Sequence, residues 1–372
     1  MVKRRILIAS ASLGGGHGRA GECVAEALRE LDPGCEVRCV DLVGLSAWWF
    51  RAVYMQGYLF IVRRVPRLWG FLYKRPPRKG GGTLPGWFLR FGLRGYERLA
   101  RDFEPSVVLS TQITASEATA ALRRRGVLKA KTATVVTDFD PHPAWNTGGI
   151  DLFLVADDAI REGFVGVGIP PERLVATGIP ISPAFEGPFD REALRARHGL
   201  RPEVPVVLLM GGSLGLGGLA EVADALLASG RAMDLVVVAG HNERLRRRLG
   251  RLAPRGEARL EVLGFVDFVH ELMAAADLFV SKPGGLSMTE AATVGVPTLA
   301  IAPLPGQEMA NLRHLLARGV VDCPRKGETL AEAVERLLDD ESARQALRQA
   351  CRRYARPRAA RRVAECILGL AD

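Results

Sequence analysis

Residues 5–17, with the sequence RILIASASLGGGH, predict the first strand and helix of an α/β fold. Arg5–Ser10 is short and almost wholly apolar, as expected for a parallel strand that is buried on both faces. Three glycines and His17 follow, and a glycine turn that enters a helix lets a ligand approach the backbone and its N–H groups. The spacing does not match GxGxxG, and the Lys-Ser/Thr pair of a P-loop is absent. This stretch therefore predicts a βα unit with a histidine at the end of its strand.

The rest of the chain alternates short apolar runs with amphipathic segments, which is the pattern of successive βα units. The predicted strands are 5–10, 36–41, 106–110, 132–137, 151–155 and 174–177, then 205–210, 234–239, 260–263, 278–281, 297–301 and 320–322. The proline-spaced stretch Gly178–Pro183 separates the two series and is interpreted as a linker. We expect two doubly wound, Rossmann-like α/β domains, 1–178 and 179–372, that face each other across a cleft. We expect the closing helices, 342–354 and 358–370, to pack back across the junction between the two domains.

Length and composition narrow the class of protein. The chain has 372 residues, 48% of them hydrophobic and 25% charged, which is ordinary for a globular protein of two domains. The six cysteines form no CxxC pair, so we expect reduced thiols and neither a disulfide framework nor a zinc ribbon. The apolar run near the N-terminus is too short for a signal peptide, and no stretch reaches the roughly 20 apolar residues of a membrane span. We therefore expect a cytoplasmic protein.

The charge is concentrated in one window, residues 42–96. The net charge is +10, and this window holds ten basic residues and no acidic one, so the remainder sums to zero. The window also carries Trp48, Trp49, Trp69 and Trp87, four of the five tryptophans, and the arginines Arg63, Arg64 and Arg67. Aromatic rings mixed with cations favour docking on an anionic membrane surface. Single-stranded nucleic acid and a solvated helical insertion are the alternatives.

Two polar clusters follow strands of the first domain. Histidine titrates near neutral pH, so His17 is a candidate general base, and a turn or helix-capping role is the alternative. The second cluster, TDFDPHPAW at residues 137–145, contains Asp138, His142 and Trp145. Two prolines fix the backbone around His142, and rigid polar loops at strand ends commonly line sites, although Asp138 could equally cap a turn. We expect no metal site there, because no helix-spaced second histidine or acidic pair completes a coordination shell.

Two glycine turns follow strands of the second domain. Residues 211–218, GGSLGLGG, and residues 282–290, KPGGLSMTE, both lie between a predicted strand and a helix, where backbone N–H groups bind phosphate. Glu290 lies in the first turns of its helix, where its carboxylate could bind the diol of a ribose or cap the helix. Gln307 and Glu308, at the start of a later helix, offer an amide and a carboxylate to sugar hydroxyls.

The joint pattern of GGGH, TDxxxHPxW, SKPGGLSxxEAxxxGxP and PGQE, over about residues 4–350, resembles the processive diacylglycerol glycosyltransferases and monogalactosyldiacylglycerol synthases. This family is related to the lipid-linked N-acetylglucosaminyltransferase of peptidoglycan synthesis. The resemblance implies the GT-B fold, with the acceptor on the first domain and the nucleotide sugar on the second. It also implies that uracil lies beside Gly264, Phe265 and Val266. The other implied donor contacts are diphosphate at Gly212, Ser213, Gly284 and Gly285, ribose at Glu290, and hexose at Gln307 and Glu308.

The reaction expected from this resemblance is inverting transfer of a hexose from UDP-glucose or UDP-galactose to diacylglycerol, without a metal or other cofactor. His17 would be the base, Asp138, His142 and Trp145 would lie on the acceptor side, and the 42–96 window would dock on the inner face of the cell membrane. The alternative is another UDP-sugar enzyme of the same double fold, either the lipid-linked N-acetylglucosaminyltransferase or a UDP-sugar epimerase. An epimerase leaves the aromatic and basic window without a role. A non-catalytic binding protein is the third class, and the ordered glycine turns argue against it.

Overall fold

The structure is a computed structural model that describes residues 4–11, 15–57, 85–212, 218–301, 303 and 305–372. The chain divides into two compact units. The first comprises the chain up to Ser182, the short piece Leu304–Gln307 and the closing segment Arg358–Asp372. The second comprises Pro183–Pro303 and Glu308–Pro357. The division thus follows Ser182 rather than residue 178, and the closing segment belongs to the first unit.

The first unit is built on a six-stranded parallel sheet with the strand order β2-β1-β3-β4-β5-β6. Its strands are β1 Arg5–Ser10, β2 Glu36–Asp41, β3 Val107–Ser110, β4 Lys131–Val135, β5 Leu152–Val155 and β6 Leu174–Ala176. The direction of winding reverses between β1 and β3, which are neighbours in the sheet. In open α/β sheets the crevice at such a reversal, at the carboxyl ends of the strands, is where ligands bind.

Helices cover both faces of this sheet. They are α1 Gly15–Leu31, α2 Trp48–Arg51, α3 Gly86–Gly92, α4 Arg94–Phe103, α5 Ile113–Arg124, α6 Asp158–Gly166 and, at the end of the chain, α15 Ala359–Ala371; a π-helical turn, Ala52–Gln56, follows α2. Residues of α1 and α15 share one buried apolar cluster with β1, and residues of α3, α4 and α5 share a second cluster that contains the alternate residues of β1. This is the doubly wound arrangement predicted from the sequence.

The second unit is built on a five-stranded parallel sheet with the order β11-β10-β7-β8-β9. Its strands are β7 Val206–Met210, β8 Asp234–Val238, β9 Arg259–Leu263, β10 Leu278–Ser281 and β11 Thr298–Ala300. Its helices are α7 Arg191–Arg197, α8 Leu219–Ala228, α9 Glu243–Leu249, α10 Val269–Ala275, α11 Gly285–Val294, α12 Gln307–Leu316, α13 Leu330–Asp339 and α14 Glu341–Tyr354. Winding reverses between β7 and β10, so the residues that follow these two strands are neighbours.

One predicted strand is wrong. Residues 320–322 form only an isolated bridge, in which Asp322 pairs with Leu299. The cause is local: Asp322 makes both bonds of the bridge, and the next residue that would donate to β11 is Pro324, which has no N–H. Among the helices of the described residues, none combines the length and the apolar character that crossing a bilayer requires.

Candidate active site

His17 lies in the first turn of α1, at the point where the winding of the first sheet reverses. Its backbone carbonyl accepts a hydrogen bond from the hydroxyl of Thr111, which follows β3, at 2.9 Å. Its ring Nδ1 lies 2.7 Å from Oγ1 of Thr137, which follows β4. The helix approaches the sheet closely at Gly21, where an added Cβ would lie 3.0 Å from Cγ2 of Ile8. The ends of β3 and β4 therefore hold the position and the orientation of this histidine, and the packing of Gly21 on β1 fixes its helix.

The hydrogen-bond chain selects one tautomer of His17. Thr137 donates its only hydroxyl hydrogen to the carbonyl of Thr111, with 3.5 Å between the oxygens, so its oxygen accepts from the ring of His17. Nδ1 is then the protonated nitrogen, and Nε2 carries the lone pair. The bond to Thr137 engages Nδ1 and leaves Nε2 out of that contact. The arrangement presents a neutral imidazole with one basic nitrogen available to a substrate.

Two features of the surroundings of His17 shift its pKa in opposite directions. Burial of the half-buried ring lowers its pKa below the usual value, because the imidazolium loses solvation there. The nearby carboxylate of Asp138 opposes this shift and raises the pKa. Burial is the larger effect, so the ring is neutral at pH 7, which is the state that a general base needs.

The other three residues predicted for the acceptor side follow β4. Asp138 is 5% exposed and lies near His17. His142 precedes a short 3-10 turn, Pro143–Trp145, and its Nδ1 accepts the N–H of Ala144 at 3.1 Å. Trp145 is 5% exposed, so its ring packs inside the unit rather than facing solvent. The structure thus places Asp138 beside the histidine and gives His142 a capping bond, and acceptor contact by the three residues stays a prediction.

Gly212 follows β7 and Gly284–Gly285 follow β10, and these two strands are neighbours where the winding of that sheet reverses. Gly212 has φ +69° and lies beside Lys282, whose Cε would be 3.4 Å from an added Cβ. Gly284 precedes α11 and Gly285 is its first residue. The first N–H groups of this helix have no partner within the helix, and they face the space beyond the carboxyl ends of the strands. Ser213 lies outside the described residues. A helix start and a glycine turn on adjacent strands suit a diphosphate.

A partly buried ion pair lies at the same sheet end, and no local sequence pattern indicates it. Nζ of Lys282 donates to Oε1 of Glu308 at 2.7 Å, with the two side chains 21% and 11% exposed. Asn311, fully buried one turn further along α12, donates to the carbonyl of Pro283 at 3.1 Å. These two contacts tie the turn after β10 to α12. They place a cation next to the glycine turns, although sequence reasoning assigned Glu308 to the hexose and Lys282 to nothing.

The other residues predicted to bind the donor lie on α11, at the start of α12 and after β9. Glu290 lies half-buried on α11 and Gln307 begins α12. Phe265 and Val266 follow β9, and Phe265 is 62% exposed. The ring of Phe265 stacks on His241, with centroids 4.4 Å apart and planes inclined by 10°. His241 is a residue that sequence reasoning missed, and the pair offers an exposed flat surface to an aromatic base.

In the described part of the 42–96 window, some tryptophan side chains are exposed and another is packed against neighbouring rings. Trp48 is 76% exposed and Trp87 63%, whereas Trp49 packs edge-on against Phe50 and Phe88. The predicted membrane residues Arg63, Arg64, Arg67 and Trp69 lie outside the described residues. Among the residues that are described, no cluster of three or more His, Cys, Asp or Glu side chains has the geometry to hold a metal ion.

Comparisons with known proteins agree with this division of the chain. Residues 17–181 match the monogalactosyldiacylglycerol (MGDG) synthase family, and residues 190–357 match glycosyl transferases group 1. The chain is 26% identical over 369 residues to the processive diacylglycerol beta-glucosyltransferase of Bacillus cytotoxicus, covering 99% of this chain and 94% of that protein. The enzyme of the same name from Bacillus licheniformis is 31% identical over 257 residues, 68% of this chain and 66% of that protein.

Solved structures show the fold. MurG of Acinetobacter baumannii has a TM-score of 0.63 at 16% identity, covering 98% of this chain and 99% of that chain. A putative UDP-N-acetylglucosamine 2-epimerase from Listeria monocytogenes has a TM-score of 0.65 at 16% identity, covering 98% and 95%. The predicted GT-B class is confirmed. Because a transferase and an epimerase share it, the fold alone does not separate the two activities.

Proposed function

We propose a specific reaction for this chain, which belongs to the GT-B glycosyltransferase family of the monogalactosyldiacylglycerol synthases and processive diacylglycerol glucosyltransferases. The reaction is transfer of a hexose from UDP-glucose or UDP-galactose to the free hydroxyl of diacylglycerol, with inversion at the anomeric carbon. The observation that carries it is the neutral, oriented His17 at the reversal point of the first sheet. A β-glycolipid and UDP are the products.

His17 acts as the general base in this mechanism. The acceptor oxygen attacks the anomeric carbon on the face opposite UDP, and its proton moves to Nε2 of His17. The bond from the anomeric carbon to the diphosphate oxygen breaks, and UDP leaves with the electron pair. The Thr137 bond keeps Nδ1 protonated, so the proton is taken at one defined nitrogen. Positioned base catalysis of this kind contributes typically about 100 to 10,000-fold.

The second unit stabilises the leaving group. Negative charge grows on the diphosphate as the sugar bond breaks, and fixed donors aimed at growing charge lower the barrier. The glycine turns at Gly212 and Gly284–Gly285 supply backbone N–H groups. Lys282 supplies the full positive charge that a divalent ion would otherwise provide. Its ion pair with Glu308 holds the ammonium at the sheet end before the donor arrives.

The acceptor is a lipid, so the protein works at a membrane surface. Trp48, Trp87 and Phe91 are exposed in the first unit, where water-exposed aromatic rings of this size are otherwise costly. Arg51 and Arg90 lie on the same helices, Arg94 begins the next helix, α4, and all three are exposed as well. Indole rings at headgroup depth and arginines near anionic lipid both favour peripheral binding. The proposed location is the cytoplasmic face of the cell membrane.

An assay of UDP release tests the reaction and separates it from epimerisation. The purified protein is incubated with UDP-glucose, UDP-galactose or UDP-N-acetylglucosamine, with and without diacylglycerol in anionic liposomes. We expect UDP release only when diacylglycerol is present and a glycolipid product with a β linkage by NMR. The variant His17→Ala is the matched control and loses this release. Conversion of UDP-N-acetylglucosamine to its epimer without lipid would instead identify an epimerase and refute the proposal.

A further inference from the structure

Gln112 follows Thr111 at the carboxyl end of β3 and has no role in the proposed reaction. The hydroxyl of Thr111 donates to the carbonyl of His17 at 2.9 Å, and consecutive Cα atoms are about 3.8 Å apart, so Gln112 begins at the same strand end. Helix α1 packs on one face of the sheet and α5 on the other, because their buried residues belong to different apolar clusters. His17 and Gln112 therefore lie at the starts of the two helices that flank the crevice between β1 and β3.

The hydrogen bonds of Gln112 fix the orientation of its amide. Its Oε1 accepts the backbone N–H groups of Thr114 at 2.6 Å and Ala115 at 3.3 Å, so the oxygen caps α5. Its Nε2 donates to Oη of Tyr54 at 3.4 Å. That bond uses one hydrogen of the two that an amide nitrogen carries, and the second is left to donate to another acceptor. The side chain is 7% exposed, so water does little to satisfy this donor, and a ligand oxygen in its place is favourable.

Tyr54 links this amide to an exposed apolar surface of the first unit. Its Oη lies 2.8 Å from Oγ1 of Thr114, and its ring, on the π-helical turn after α2, stacks on Phe50 with centroids 5.5 Å apart. Val53, the preceding residue, is 58% exposed, and Trp48 at the start of α2 is 76% exposed. Polar donors thus lie at the strand end, and exposed apolar side chains lie further out along the same segment.

We propose that Gln112 selects the acceptor lipid by donating its second Nε2 hydrogen to an ester carbonyl of diacylglycerol. This inference rests on the proposed function, in which the free hydroxyl of that lipid gives its proton to His17. In diacylglycerol the ester carbonyls, which only accept hydrogen bonds, lie between the hydroxyl and the acyl chains. The protein offers the matching groups in the same order, with His17, then Gln112, then the exposed Val53. Tyr54 is a positioning residue, because its hydroxyl holds the amide nitrogen in place.

Transfer to a diester lipid and to a diether lipid tests the proposal. The whole protein is assayed with dioleoylglycerol and with dioleyl glycerol diether, which has the same hydroxyl and similar chains but no carbonyl, at equal mole fraction in identical detergent micelles. We expect kcat/KM to be about tenfold higher for the diester, as the loss of one buried hydrogen bond predicts. Equal values for the two lipids would overturn the proposal. Absence of transfer to either lipid would refute the proposed function, and this inference with it.

Two variants at Gln112 separate hydrogen-bond donation from helix capping. Gln112→Glu keeps an oxygen at the start of α5, where a carboxylate is favourable, but it has no amide N–H. Gln112→Ser caps the helix as a neutral residue and lacks the amide as well. Both should bring the two kcat/KM values to within about twofold of each other and raise KM for diacylglycerol, with KM for the UDP-sugar and the melting temperature unchanged. A preference that stays near tenfold in these variants would mean that Gln112 only caps the helix.

The hydroxyl of Tyr54 is tested by its removal. Tyr54→Phe keeps the ring on Phe50 but loses the oxygen that accepts from Nε2. The preference for the diester should fall about threefold, while KM for the UDP-sugar stays the same. An unchanged preference would show that the amide needs no such partner and would remove Tyr54 from this role.

A second helix cap of the first unit provides the matched control. Asp157 caps α6, after β5, by accepting the N–H of Ile160 at 2.8 Å, and Asp157→Asn keeps a capping oxygen there. This variant alters a helix start away from β3 and should keep the diester preference of the parent. Loss of the preference in Asp157→Asn would mean that any altered cap in this unit has the same effect, and the assignment to Gln112 would be wrong.

Discussion

At the scale of the residue, the pKa of His17 sets the lower pH limit of the reaction. A base must be neutral, and burial lowers the pKa of this ring below its usual value, so the neutral form persists below the pH at which an exposed histidine would be protonated. We expect kcat/KM to be constant near pH 7 and to fall only below about pH 6.5. The carboxylate of Asp138 raises the pKa of His17, so Asp138→Asn should move this acidic limb to still lower pH.

The pH profile of kcat/KM for the parent and for Asp138→Asn checks the direction of this shift. The variant should also be slower at its plateau, because a weaker base takes a proton less readily. Asp140→Asn, at the half-buried neighbouring carboxylate, is the control, since Asp140 does not figure among the groups that shift His17. If the acidic limb of the kcat/KM profile moves to higher pH in Asp138→Asn, the electrostatic account is wrong.

Lys282 gives a second prediction at this scale. Lys282→Met keeps the length of the side chain but removes the charge, so it should lower kcat by about 100-fold, as loss of one donor to a developing anion typically does. Removal of the lysine also leaves Glu308 buried without its cation, which costs stability. The double variant Lys282→Met with Glu308→Gln removes both charges and should recover the melting temperature. If it recovers kcat as well, the lysine has only a structural role.

At the scale of the element, α3 depends on a glycine that packs on an aromatic ring. A Cβ added to Gly92 would lie 2.0 Å from Cδ2 of Phe50, a ring that is 1% exposed and cannot move aside freely. Overpacking of this kind costs about 1 to 3 kcal/mol. Gly92→Ala should therefore lower the free energy of unfolding of the first unit by that amount, measured by urea titration.

Gly86→Ala is the matched control, because it lies in the same helix and nothing is within 4 Å of its added Cβ. It should leave stability unchanged or raise it by up to about 1 kcal/mol, since alanine favours helix. Equal loss of stability in both variants would mean that glycine matters here for the backbone and not for the contact with Phe50.

Elements with a simple burial pattern could be predicted from the sequence. The bounds of β1 and β10 agree with the prediction, because an apolar run between turn residues is what a strand inside a parallel sheet requires. The bounds of β2 agree as well, although this strand lies at the edge of its sheet and has no buried residue. His17 could be found because a glycine turn precedes it. The partner Thr137 is 120 residues away in sequence and Glu308 is 26 residues from Lys282, so these contacts arise from the folded sheet order and leave no local pattern. The burial of Trp145 could not be predicted either. This aromatic residue follows a polar loop, and the loop sequence does not reveal the packing that buries it.

At the scale of the whole molecule, the chemistry should need no divalent ion. Helix starts, glycine turns and Lys282 supply positive potential at the diphosphate, which is the task of a metal in other transferases. We expect turnover to be unchanged by dialysis against excess EDTA, with the glycolipid product measured directly. Loss of turnover that magnesium restores would show that an ion takes part.

Membrane binding is the property that most depends on the molecule as a whole. Among the described residues, four of the seven exposed large hydrophobic side chains, Trp48, Val53, Trp87 and Phe91, lie between residues 48 and 91. Arg51 and Arg90 lie in the same stretch, Arg94 follows it closely, and all three are exposed. Aromatic insertion does not depend on salt, whereas the attraction of arginines to anionic lipid is screened as the Debye length falls from about 10 Å at 0.1 M to about 3 Å at 1 M. Binding to phosphatidylglycerol vesicles should therefore fall with salt to a plateau above zero.

The two contributions can be removed separately and measured by co-sedimentation. Replacing Arg51, Arg90 and Arg94 with glutamine should remove much of the salt-dependent part and leave the plateau, since each cation near the surface adds about 1 kcal/mol. Replacing Trp48, Trp87 and Phe91 with serine should abolish the plateau and leave binding that disappears in 1 M salt. The control changes Val165 and Val175, which are exposed elsewhere on the first unit, to serine and should bind like the parent. If the aromatic variant keeps its salt-resistant binding, this surface does not enter the membrane, and residues outside 48–57 and 85–94 must hold the protein there.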